Sequence, residues 1–483
     1  MRINAVSILT VAAVVSMAQP AAQPRLWDDA ELTRMTLPAV LPEGRIVYLP
    51  AEAYYKQKPL VIYKSYPVYA PGREPEGYFD WLRRQEPEIA FDPAKLKTES
   101  DWRDAGQTVF EAPTDFAPVD SIHDREWFAK VKPPVTSEGV LPAYSYAIRK
   151  KGLVELGSGS CATCHSRVLP DGSYLPGAQG DFPIERAYAE TLRRRKGAAE
   201  PRLTAGLLMS PADIARWTDR LYERSKQDII AVFEAMIPGV AMRNGFSYLD
   251  PPKIADLIGV RDRQYLDMTA RLIHRSADDV ARYGSMCWAS NYFFSADSAL
   301  PESATKSVSD GMRYTDEQAR AFAAYVYSLT PPKNPYRRTT LAKKGEAIFA
   351  REGCPQCHTP PLYTNNKIIP AGDFNPPADH RQRFSVQDVR VGTDSTAALK
   401  SLRGRGYYKV PSLKGVWYRG PFVHNGTIAN LEDWFDPNRV RADYVATGYL
   451  GYGVRTRPVP GHPFGLSLNA VDRAALVAFL NTL

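Results

Sequence analysis

The stretch GSGSCATCHS, residues 157–166, sets two cysteines three positions apart and puts a histidine directly after the second. The same spacing returns in REGCPQCHTP, residues 351–360. Four of the five cysteines fall in these two units, leaving Cys287, in GSMCWAS, to read as an ordinary buried thiol. A four-cysteine zinc site would leave both histidines unexplained, and neither unit opens the helix of a βαβ pattern as a thioredoxin-like motif does. C-x-x-C-H is the attachment spacing of a c-type haem. Two cysteine sulfurs join the porphyrin edge as thioethers, and the next residue lies under the iron as its proximal ligand. Cys161, Cys164 and His165 are therefore assigned to one covalent haem, and Cys354, Cys357 and His358 to a second.

Working outward, the flanks of the two units repeat as well. KKGEAIFAREGC, ahead of the second unit, carries Gly345 and Phe349 four apart; DWRDAGQTVFEAP carries Gly106 and Phe110 in the same way. Downstream, KIADLIGV (253–260) is answered by KVPSLKGV (409–416), 156 residues later. RAFAAYVYSLT (320–330) is answered by AALVAFLNTL at the end of the chain. Both closing segments have helix-start signals: Thr315 with Gln318 as a capping box, Asn469 with Asp472 as a weaker one. Pro331-Pro332 stops the first helix and reads as a linker.

In small cytochromes c an opening helix with a G-x-x-x-[FY] face crosses the closing helix, and this chain resembles two such units. The expected fold is mainly α: two cytochrome c-like helical domains in tandem, residues 98–332 and 336–483, with irregular and β-hairpin inserts in the first. Residues 23–97, rich in Tyr and Pro, read as an N-terminal accessory segment. From the glycine to the first cysteine is nine residues in the second copy and 55 in the first. The extra length holds AYSYAIRKKGLVELGS, which alternates in part like a strand, and after CATCH the Asp-Gly turn of RVLPDGSYLPG predicts a hairpin. PADIARWTDRLYERSKQDIIAVFEAM has helical period over much of its length.

The chain has 483 residues, 44% of them hydrophobic, enough for real cores and too many for one of ordinary size. The net charge of +8 is mild, with acidic and basic residues interspersed. No Lys/Arg stripe with interleaved aromatics points to nucleic acid. The N-terminus, MRINAVSILTVAAVVSMAQPAAQPRLW, has one cation, Arg2, ahead of an apolar run from Ala5 to Val15 that is too short to span a bilayer. Residues 1–22 read as a secretory signal, cleaved after Ala18 or Ala22, with an uncleaved anchor as the alternative. The expected mature protein is periplasmic, with no membrane span.

What lies on the far side of each iron separates an electron carrier from an enzyme, because a saturated iron passes electrons and an open one binds oxygen or peroxide. The last methionine is Met312, so the second unit has none of its own, and His380, His424 and His462 remain. His424, in a turn-rich loop with Gly420-Pro421 and Asn425-Gly426, is the expected ligand; His462, in GHPFG, reads as structural. Extending KIADLIGV without a gap sets Met268 opposite His424, making Met268 the candidate at the first iron. His274 and an open position are the alternatives. A peroxidase also needs an acid–base group there. Glu185, Glu234, His274 and Asp278 are candidates, and Trp217 and Trp288 could bridge the haems or simply pack in cores.

VPSLKGVWYRGPFVHNGTIANLEDW, with the paired C-x-x-C-H units, resembles the bacterial di-haem cytochrome c peroxidase superfamily. That group includes the di-haem enzyme maturing methylamine dehydrogenase and the rubber oxygenases. The resemblance implies that the N-terminal haem activates peroxide or oxygen while the C-terminal haem relays electrons. It also implies a small exported electron donor or acceptor protein as partner, and supports His424 as a ligand of the second haem. A non-catalytic electron-transfer cytochrome, or a redox subunit docking a partner dehydrogenase, is the competing reading.

Overall fold

Two helix crossings organise the chain. The structure is a computed structural model that describes residues 24–40, 45–119, 124–194, 221, 224–242, 247–286, 292–295, 312–401 and 403–483. Helix α1 (Glu99–Glu111) starts at Thr98, whose side chain and Asp101 form both bonds of a capping box. Helix α2 (Asp316–Ser328) starts the same way from Thr315 and Gln318, as the sequence predicts. Helix α3 (Thr340–Arg351) is capped by Thr339, and α4 (Ala470–Leu480) by Asn469, which accepts from the Asp472 amide. Each cap satisfies amides that a helix start leaves unpaired.

Helix α1 crosses α2, and α3 crosses α4, with the same contacts. Gly106 faces the backbone of Ala321 so closely that a Cβ would stand 2.0 Å from the carbonyl oxygen. Gly345 meets Ala475 in the same way, at 1.9 Å. One turn on, Phe110 meets Tyr325 at 5.3 Å and 55°, and Phe349 meets Phe479 at 5.3 Å and 58°. Glycine is required at both crossings because the helix backbones touch there.

Strand content is higher than expected, and the fold is mixed helix and sheet rather than mainly α. Strands β1 (Ser65–Tyr69), β2 (Asp115–Pro118), β3 (Val140–Lys150) and β4 (Leu153–Ser158) form an antiparallel sheet in the order β1-β3-β4-β2. The insert ahead of the first C-x-x-C-H unit supplies β3 and β4, where Tyr146 and Ile148 bury against a second core. Its alternation is legible in the sequence; that it recruits Ser65–Tyr69 from the N-terminal segment is not. Other residues of that segment pack on α1 and α2: Leu26, Trp27, Leu32, Met35 and Tyr54 share a core with Phe110 and Ala321. Trp27 stacks on Tyr54 at 4.6 Å and donates its indole N–H to the Leu49 carbonyl at 2.7 Å. The predicted hairpin is present as β5 (Ser166–Val168) and β6 (Tyr174–Pro176), its turn closed by Asp171 accepting from the Ser173 amide.

Candidate functional site

Strand β4 ends directly before the first motif, and Ser160 caps a short helix, Cys161–Cys164, by accepting from the Thr163 amide. Thr163 ties that turn to the sheet by donating to the Ala143 carbonyl at 3.1 Å. His165 follows, its Nδ1 at 2.8 Å from the carbonyl of Ala255. In the second copy the chain leaves α3 through Gly353 into a 3-10 turn, Cys354–Gln356. The Nδ1 of His358 lies 3.2 Å from the Tyr363 carbonyl, and the Pro411 carbonyl also faces that ring. A carbonyl on Nδ1–H fixes the tautomer that turns Nε2 toward a metal. Ala255 and Pro411 are the third residues of KIADLIGV and KVPSLKGV, so equivalent residues lie beside the two rings, while Tyr363 takes the Nδ1 bond in the second copy.

The two copies of that segment also meet. The Lys253 amide donates to the His424 carbonyl at 2.8 Å, and the Lys409 amide to the Met268 carbonyl at 3.1 Å. Lys409 follows Lys253 by 156 residues, and His424 follows Met268 by the same interval. Each copy thus gives and receives the same bond, as the halves of a two-fold interface do. Arg263 and Arg419, again 156 apart, each turn back to a carbonyl of their own segment: Asp256 at 2.5 Å and Ser412 at 2.7 Å.

Lys253, Arg263, Lys409 and Arg419 are half-buried and gather on this seam. Burial, then Arg419, lowers Lys253 to about 8; burial, then Arg263, lowers Lys409 to about 7. Asp256, 3.8 Å from Arg419, and Asp267 offset part of the charge, yet the lysines remain depressed. Such a cluster calls for further anions. A haem carries two carboxylate side arms, so thiols, an oriented imidazole and cations together fit that group at each motif.

The side chains that the sequence offers as further haem ligands lie in different settings. His462 faces His358 with ring centres 6.3 Å apart and planes at 53°. Burial, followed by the nearby His358 and Arg439, pushes His462 down to about 3, so its imidazole is neutral. Arg439 fixes the loop by donating to the carbonyls of Gly461 and His462 at 2.8 and 2.9 Å. His424 instead lies between Asp394 and Asp250, its Nε2 3.6 and 3.8 Å from their oxygens, with its ring stacked on Tyr408 at 4.8 Å. His380 pairs with the Tyr407 hydroxyl at 2.9 Å. Both ring nitrogens of His274 are engaged, with the Arg263 carbonyl at 2.6 Å and the Tyr327 hydroxyl at 2.5 Å.

Met268 sits on the turn joining Tyr265–Leu266 to Leu272–Ile273, not on a helix face. The acid–base candidates hold other partners. Glu185 accepts from the Met242 amide, Glu234 pairs with Arg193, and Asp278 with Arg320. Cys287, Trp217, Trp288 and residues 1–22 lie outside the described residues. The sequence reads His462 as structural because GHPFG is an isolated stretch with no period and no counterpart in the first copy; its facing of His358 appears only in the fold.

No family model matches the chain. Part of it is similar to curated cytochrome-c peroxidases. Cytochrome-c peroxidase IdrP1 of Denitromonas iodatirespirans is 29% identical over 160 residues, which is 29% of this chain and 40% of the relative. Cytochrome-c peroxidase IdrP2 of Pseudomonas sp. (strain SCT) is 27% identical over 161 residues, 30% of this chain and 40% of the relative. The chain therefore spans about two fifths of the length of these curated relatives. Among solved structures, hydrazine synthase of Kuenenia stuttgartiensis aligns with 61% of this chain and 91% of its own at TM-score 0.30 and 14% identity. A MauG-like protein associated with microbial copper homeostasis aligns with 35% of this chain and 56% of its own, at TM-score 0.23 and 18% identity. Among the described residues, no helix is long and apolar enough to cross a membrane.

Proposed function

We propose that the chain is an exported di-haem oxidoreductase of the cytochrome-c peroxidase type, built from two cytochrome c-like units. Cys161, Cys164 and His165 hold one haem; Cys354, Cys357 and His358 hold the other. The observation that carries this reading is the repeated anchor, in which Ala255 and Pro411, equivalent in the two copies, face the rings of His165 and His358. Similarity to cytochrome-c peroxidases adds the reaction class, reduction of a peroxide; the first haem would supply that chemistry and the second would pass electrons from a small exported donor.

Bound haem supplies one-electron redox chemistry; the chain supplies position and charge. His165 and His358 are oriented by carbonyls, and Lys253, Arg263, Lys409 and Arg419 balance the haem carboxylates. His462, rather than His424, is the proposed second ligand of the C-terminal haem. Two imidazole nitrogens each about 2 Å from one metal ion put their ring centres roughly 6 Å apart, in keeping with the 6.3 Å between His358 and His462. At the first haem Met268 or an open position remains, and an open position would supply the peroxidase chemistry.

A denaturing haem stain with mass measurement, EPR of the oxidised and half-reduced protein, and a peroxide-turnover assay test this together. Two covalent haems, a high-spin signal in one state and turnover are expected. His462→Ala is expected to convert the second haem to high spin with attachment retained, while His424→Ala leaves it low spin. Two low-spin haems throughout with no turnover would establish a carrier, and colourless protein would overturn the whole reading.

A further inference from the structure

His424, removed from the iron in this reading, is left in a setting of its own. Its Nε2 stands 3.6 Å from an oxygen of Asp394 and 3.8 Å from one of Asp250, and one donor atom from each of the three lies within 4.8 Å of the others. These separations are too long for hydrogen bonds. Both ring nitrogens of His424 and Oδ2 of Asp250 are buried and lack a hydrogen-bond partner, on side chains of residues only 8% and 7% exposed. Buried polar atoms are normally paired, so Nε2 of His424 and Oδ2 of Asp250, left open and facing each other with Asp394 beside them, call for something between them.

We propose that Asp250, Asp394 and His424 bind a divalent transition-metal ion of the zinc class, separate from both haems. Nitrogen and oxygen donors each about 2.0–2.2 Å from one ion stand roughly 3–4 Å apart, and the 3.6 and 3.8 Å separations fall in that range. One neutral imidazole and two carboxylates bring two negative charges, which a divalent cation cancels. The nitrogen donor selects zinc over calcium or magnesium, which prefer all-oxygen sites.

The surrounding residues hold the donors in place. Oδ1 of Asp250 accepts from Asn425 at 2.5 Å and from Arg457 at 2.7 Å, which turns Oδ2 toward His424. Tyr408 stacks on the imidazole and donates its hydroxyl to the Asp394 carbonyl at 2.8 Å. Such outer partners orient metal ligands. The Asp394 side chain is 43% exposed, giving an ion a way in. Because Asp250 comes from the insert of the first copy and the other two from the second, the ion would clasp the two halves together.

The test is zinc binding by the haem-loaded protein after stripping with a chelator, read by equilibrium dialysis with metal analysis. One zinc per chain is expected beyond iron, with a rise in melting temperature. Asp394→Asn, at the half-exposed ligand, is expected to weaken binding at least tenfold with the haem spectrum unchanged; Asp250→Asn should do the same. No zinc above iron, or equal affinity in the parent and both variants, would overturn the proposal. So would a low-to-high-spin change of the second haem in His424→Ala, which would give His424 to the iron. Loss of haem from the parent protein would instead count against the di-haem reading, since zinc uptake is measured independently of colour.

Discussion

The six proposed haem anchors are named from the sequence alone, because covalent attachment demands fixed spacing. The facing of His462 and His358 is not legible there, since a distant arginine, Arg439, holds the loop by its carbonyls. His424 illustrates the converse: its turn-rich surroundings were legible, but the carboxylate of Asp250 beside it comes from 174 positions earlier in the chain. Arg419 makes a prediction at this level. Its guanidinium field reaches His358. A nearby cation favours the reduced iron. Arg419→Gln should therefore lower the midpoint potential of the second haem in a spectroelectrochemical titration. A unit charge about 10 Å away at an effective permittivity of about 20 is worth on the order of 50 mV; an unchanged or higher potential would remove Arg419 from the haem's surroundings.

Helices announced themselves through caps and period, and the two crossings through G-x-x-x-F, because a crossing is built from residues one turn apart. Gly345→Ala tests the crossing. In an exposed helix that change gains about 1 kcal/mol of propensity, but here the added methyl would stand 1.9 Å from the Ala475 oxygen. Overpacking of about 1–3 kcal/mol or more is expected to win, seen as a lower melting temperature by circular dichroism. The N-terminal strand β1 was hidden because SYPVY, in a Tyr- and Pro-rich stretch, gains meaning only beside β3. The helix Ala277–Met286 gives a second test through Asp279, which is fully buried and accepts from Arg275 and Arg282. Burial resists its ionisation, yet the arginines outweigh this and hold its carboxyl below the usual range. A depressed carboxylate contributes stability above its unfolded pKa of about 3.9 that is lost as pH falls through the folded value. Asp279→Asn should thus destabilise the protein near pH 7, by about 3–5 kcal/mol if the arginines are left unpaired, and flatten the acid limb of a melting-temperature profile. A parallel shift at every pH would show that the charge is not what matters.

Across the molecule, the interval of 156 residues was visible in the sequence as equivalence, but equivalence does not say which segments touch. Only folding shows that each copy's lysine amide bonds to the other copy. A second tie is unsymmetrical. From the hairpin after the first motif, Arg167 donates to the Gly420 carbonyl at 2.7 Å, and beside it Gln179 donates to the Pro421 carbonyl at 3.0 Å. Replacing both with Ala should loosen the halves so that calorimetry resolves two transitions where the parent shows one. A single transition at a lower temperature would mean that the lysine amide bonds suffice for coupling.

The crowding of Lys253, Arg263, Lys409 and Arg419 has a consequence for assembly on the proposed reading. The lysines are depressed by burial and by the neighbouring arginines, and the carboxylate arms of two bound pigments would supply the missing countercharge. Pigment loading should therefore strengthen a contact that the backbone bonds already close, and the loaded protein should melt at a higher temperature than the bare polypeptide.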